Sequence, residues 1–156
     1  MILKIADWQF QVDTEATQER TLRYSMDHCT CPYCKNYYDT VELVYPKLKD
    51  FLSHFGICMA GPCELMPFVP TLMLACYRVD GKIVHWGKEE LGADGISITP
   101  EASDDETFLL WVGEAELPWT QPEEMEEVVS PANLPEFLER MQDTWRLRHG
   151  TELFFS

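Results

Sequence analysis

Apolar and polar residues alternate at the start of the chain. Ile5, Trp8, Phe10 and Val12 are interrupted by Asp7, Gln9 and Gln11, the period-two pattern of a half-buried strand over residues 3–12. Asp13 follows, and its short carboxylate can accept an orphan amide in the first turn of a helix. That predicts a helix over 14–26 with a thin apolar stripe of Ala16, Leu22 and Met26. The period then lengthens to that of a helix. Cys34, Tyr37 or Tyr38, Val41, Val44 or Tyr45, Leu48, Phe51 or Leu52 and Phe55 fall on one face. Gly56 is a natural stop. Pro46 has no amide hydrogen and crowds the carbonyl four residues back. It predicts a kink, or one helix ending near Val44 and a second starting at Pro46.

Residues 62–70 carry three prolines and little pattern. Residues 71–79 form an apolar strand. Asp80-Gly81 reads as a hairpin turn, with 82–86 returning as the partner strand. Gly92–Gly95 reads as another turn, Ile96 and Ile98 as a short strand, and 107–117 as the longest strand. Residues 120–133 are rich in Glu and Pro and read as a solvated connector. In 134–148, Leu134, Phe137, Leu138, Met141 and Trp145 share one helical face. Strands cluster between 71 and 117 with turn-type connections. The expectation is an α+β single domain over 1–156, with an antiparallel β-sheet of about four to six strands packed against about three or four helices.

A chain of 156 residues with 46% apolar content can build its own core without a metal or disulfide staple. Its 12 basic and 27 acidic residues leave a net charge of -15. That charge repels phosphate backbones and anionic lipid, so nucleic acid and membrane are set aside as partners. It serves solubility, or it presents a surface that attracts a basic protein. The first ten residues lack the apolar core of a signal peptide, and no apolar run approaches the roughly 18 residues of a membrane helix. The expected location is the cytoplasm, where the six cysteines are reduced thiols.

Three of those cysteines, Cys29, Cys31 and Cys34, fall within six residues. Cys31 and Cys34 make the Cys-x-x-Cys half-site that zinc favours, with Cys29 two residues upstream and His28 beside it. Cys58 and Cys63 lie beyond about 22 residues of helix, which spans roughly 33 Å, too far to share an ion unless the chain reverses near Pro46. His54 and His85 remain as ligands through tertiary contact. Cys31-Pro32-Tyr33-Cys34 also reproduces the active-site motif of glutaredoxins. Cys31 at the helix cap, with Pro32 at the first helical position, is a setting that favours a thiolate. A redox reading therefore makes Cys31 the nucleophile and Cys34 the resolving thiol. The lead-in to the motif is polar and helical, however, where that fold needs a buried strand. In the third reading the cysteines only fill space, which suits Cys34 on its apolar face and Cys76 in a strand.

The segment from Phe10 to Phe55 resembles a family of small uncharacterised bacterial proteins. The features shared are Trp-x-Phe-x-Val-Asp before a helix, Cys-x-Cys-x-x-Cys-x-Asn-Tyr-Tyr, then Tyr-Pro-x-Leu-x-x-Phe-Leu and Phe-Gly-Ile, with Asp80-Gly81 and Leu117-Pro118-Trp119 further on. The resemblance implies a single cytoplasmic domain and brings no catalytic residues. The chain after Trp119 departs from it, which makes residues 120–156 a C-terminal helical extension. Glu114 with Glu116, the Glu123–Glu127 run and His85 read as solvated surface, and Trp119 as an exposed anchor for a partner. With no Gly-rich phosphate loop or nucleophile elbow, the expected function is a non-enzymatic protein-interaction module. The alternatives are a thiol-disulfide oxidoreductase and a zinc-supported fold.

Overall fold

The computed structural model describes residues 1–27, 29–69 and 72–122, nearly all of the compact unit Met1–Met125. Its elements run β1 (Ile2–Ile5), β2 (Trp8–Val12), α1 (Thr14–Met26), α2 (Pro32–Val44), α3 (Pro46–Ser53), β3 (Glu64–Val69), β4 (Leu72–His85), β5 (Leu91–Ala93), β6 (Ile96–Ala102) and β7 (Thr107–Glu116). The seven strands form one antiparallel sheet in the order β1-β2-β4-β7-β6-β5, with β3 also paired to β4. The α+β class holds, with one strand more than the upper expectation. The helix expected over 134–148 lies outside the described residues.

β4 organises the sheet. Over Leu72–Asp80 it pairs with β7 on one edge, and over Leu72–Cys76 with β3 on the other. Beyond Asp80 it continues along β2, with Gly81 opposite Val12 and His85 opposite Gln9. Asp80-Gly81 is therefore no hairpin, and residues 82–85 are no return strand. The pair marks where one strand changes partners. Gly81 has φ 144°, and a Cβ there would sit 1.9 Å from the Gln11 carbonyl oxygen. Close approach of β2, rather than a turn, demands the glycine. The actual two-residue hairpin lies earlier, at Ala6-Asp7 between β1 and β2, where the alternating pattern showed only one strand. The Asp7 carboxylate accepts the amides of Lys88 (2.7 Å) and Glu89 (3.1 Å).

β3 arises from the stretch read as patternless. It includes Pro67; among the described residues β3 pairs with β4 alone, and an edge strand tolerates a residue that has no amide hydrogen. β4, at 14 residues, is the longest strand, ahead of the 10 residues of β7.

Alternate residues of β4 (Met73, Ala75, Tyr77, Val79) and β7 (Phe108, Leu110, Val112) join Tyr37, Val41, Leu48, Leu52 and Phe55 of the helical layer in one core. Phe10 lies against Phe55 and Phe108, with ring centroids at 5.2 and 5.4 Å. Pro46 does separate two helices, and the face predicted for them is the buried one.

α1 keeps its predicted bounds, and Asp13 caps it by accepting the Ala16 amide at 3.0 Å. Its inner face differs from the prediction. Leu22 and Met26 are exposed, while Thr17 and Thr21 are fully buried. Thr17 Oγ1 accepts the Asp80 amide (3.0 Å) and Thr21 Oγ1 accepts the Cys58 amide (2.9 Å). Both hydroxyls donate to carbonyls one turn back, Asp13 and Thr17. Gly56, with φ 82°, turns the chain back across this face.

Candidate metal centre

The connection between α1 and α2 leaves Cys31 in extended conformation (φ -63°, ψ 156°) as the N-cap of α2, with Pro32 at the first helical position. Cys34 is then the third residue of the first turn. In helix-capping geometry the cap side chain and the third side chain meet, which is why Cys-x-x-Cys at a helix start brings two sulfurs together. The Cys31 amide donates to Cys29 Sγ at 3.4 Å and draws the upstream thiol in. The three Sγ atoms lie within 4.8 Å of one another. Sulfurs sharing one zinc stand about 3.8 Å apart, given bonds of about 2.3 Å in tetrahedral geometry, so the three fit one ion with small shifts.

The surroundings grade the thiols. Cys29 is exposed, Cys31 is half-buried and Cys34 is buried. The Cys31 amide holds the Cys29 thiol below the usual range, aided by the neighbouring thiols of Cys31 and Cys34. Burial pushes Cys34 up, and the adjacent sulfurs add to it. The helix-start amide that favours a thiolate therefore acts on Cys29, upstream of the Cys-x-x-Cys pair. Tyr38, one turn beyond Cys34, is pushed up to about 12 by burial and then by the three thiols. Its place beside the cluster was readable only as a four-residue step along α2.

A strap of chain holds this end of the helix. Buried Asn36 donates to the Pro118 carbonyl (3.0 Å) and accepts from the Thr120 amide (2.8 Å) and hydroxyl (3.2 Å). Gln121 donates to Asp39 (2.9 Å). Trp119, expected as an exposed anchor, is half-buried against Tyr33, with centroids 5.7 Å apart. The exposed tryptophan of the described residues is Trp86.

Among the described residues the group of side chains close enough together to hold a metal ion is Cys29, Cys31 and Cys34. His28 lies outside those residues. Cys58 and Cys63 do not join the group, although the chain does turn back at Gly56. Cys63 sits instead against Cys76, its thiol donating to the Cys76 carbonyl at 3.2 Å. Cys76 is fully buried in β4, and the Cys63 thiol and burial raise its thiol far above the usual value. His54 is exposed 3.8 Å from Asp50, and His85, Glu114 and Glu116 are exposed. Compared with protein-family models, with curated proteins and with solved structures, the chain shows no match. No helix among the described residues is long and apolar enough to cross a membrane.

Proposed function

We propose that this protein is a thiolate metal protein whose Cys29, Cys31 and Cys34 bind a single zinc ion at the start of α2. The observation that carries the reading is the convergence of three sulfurs within 4.8 Å. They come from a turn whose backbone already brings two of them together. Thiolates suit zinc and copper(I) over harder cations. Three protein sulfurs fill three of zinc's four positions, and His28 is the candidate that the sequence supplies for the fourth. The metal would tie the α1–α2 connection to the first turn of α2, a supporting role compatible with a non-enzymatic interaction module.

Elemental analysis of protein purified without chelator tests this. About one equivalent of zinc is expected in the wild type, and next to none in a Cys29→Ser, Cys31→Ser, Cys34→Ser triple variant. Cobalt substitution should give thiolate-to-metal charge-transfer absorption in the wild type alone. Less than about half an equivalent of metal, with no cobalt spectrum, would end the reading.

A net charge of -15 favours a companion reading, in which the domain's partner is a basic protein recruited by long-range attraction. Pull-downs at low and moderate salt examine it. The absence of any stoichiometric partner at both would count against it.

A further inference from the structure

Resting on the zinc reading for its last step, we propose that the same turn is a hydroperoxide-sensitive switch. Cys29 takes the oxidant, Cys34 closes on it as a disulfide, and the metal is released. Cys29 is the exposed member of the cluster, lies outside the helix, and has its sulfur held by the Cys31 amide. It is the sulfur that an oxidant reaches first. Cys34 is buried, and the helix fixes it within 4.8 Å of Cys29. A disulfide needs about 2.05 Å between sulfurs. The remaining approach is of a size that Cys29 and Thr30, which lie in neither helix nor strand, can supply.

The chemistry balances with a hydroperoxide as oxidant. The Cys29 thiolate attacks one peroxide oxygen, the O–O bond breaks, and Cys29 becomes a sulfenic acid as hydroxide leaves. The Cys34 sulfur then attacks the Cys29 sulfur and displaces the hydroxyl as water. Cys34 gives its thiol proton to the departing hydroxyl, and the hydroxide of the first step takes up the proton that Cys29 released, so that with hydrogen peroxide two thiols become one disulfide and the peroxide becomes two waters. Two of the three ligands are then unable to bind metal. Charge selects the oxidant class. A surface at net -15 repels anionic disulfides and leaves neutral hydrogen peroxide unaffected.

The experiment treats the full chain, zinc-loaded and metal-free, with hydrogen peroxide. Trypsin leaves all three cysteines on one peptide, residues 24–35. The expected product is that peptide lighter by two hydrogens, with Cys31 still free to alkylate, and zinc released in step to a chromogenic chelator. Cys29→Ser, an exposed change whose fold is checked by its urea midpoint, should slow oxidation by about tenfold or more. Cys31→Ser should still form the Cys29–Cys34 link. An internal disulfide forming at the wild-type rate in Cys29→Ser overturns the assignment of Cys29. Zinc retained after the disulfide forms overturns the release step. Irreversible sulfinic or sulfonic products without a disulfide overturn the switch altogether. If the metal-free chain forms the disulfide but zinc never binds in any preparation, the zinc reading fails while the thiol pair stands.

Discussion

Gly81 shows how one residue can carry a topological decision. β4 passes from β7 to β2 at this point, and the Gln11 carbonyl leaves no room for a side chain. Gly81→Ala should therefore lower stability by at least about 2 kcal/mol, from the strain of a side chain at positive φ together with the backbone shift it forces. The urea unfolding midpoint checks it. Asp7 works differently, through charge. The Lys88 amide, with that of Glu89, holds the exposed Asp7 carboxylate below its ordinary value of 3.8. A group lowered in the folded state adds stability above its unfolded value and loses it as pH falls through the folded one. Asp7→Asn should therefore melt lower than the wild type near pH 6, and the gap should narrow as pH drops below 3.8. Melting curves across that range are the check; a gap that widens in acid contradicts the assignment.

Among the elements, α3 shows that a helix can be capped from far away in sequence. It is eight residues long, and its own N-cap, Tyr45, makes no side-chain capping bond. Asp94, in the β5–β6 turn, accepts the amides of Lys47 (2.7 Å) and Leu48 (3.0 Å). Asp94 itself has φ 54°, a conformation that Asp and Asn tolerate better than most residues. Asp94→Ala should cost about 1–2 kcal/mol by removing the cap, and Asp94→Asn less, since it keeps an acceptor and the same backbone preference. Hydrogen exchange at Lys47 and Leu48, faster in the alanine variant, separates loss of the cap from general destabilisation. α1 teaches a related lesson. Its helix period was legible, but its contact face was not, because that face consists of Thr17 and Thr21 serving as acceptors for backbone amides of other segments. Periodicity read in hydrophobicity misses a face that is buried by hydrogen bonding.

At the scale of the molecule, net charge sets a constraint that no single contact reveals. A charge of -15 on 156 residues opposes compaction through self-repulsion, and salt screens it over about 8–10 Å near physiological strength. The melting temperature should rise when sodium chloride is raised from about 0.01 to about 0.5 M; a fall would mean that local ion pairs such as Arg20–Asp80 (2.8 Å) outweigh the global repulsion. The sequence by itself determined what depends on neighbouring residues. That covers the helix bounds from Asp13 and Pro46, the buried face of α2 and α3, and the meeting of Cys31 with Cys34, which follows from their places in one helical turn. Tertiary structure alone decided what depends on residues distant in the chain. Asp80-Gly81 has the composition of a turn, yet β2 and β7 each offer β4 a ladder, so the strand runs through. Residues 62–70 have no pattern of their own, yet the open edge of β4 makes most of them a strand. Trp119 sits against Tyr33 because Asn36 holds Pro118 and Thr120. Local propensities are worth tenths of a kilocalorie to about one, and a ladder or buried contact supplied from elsewhere in the chain outweighs them.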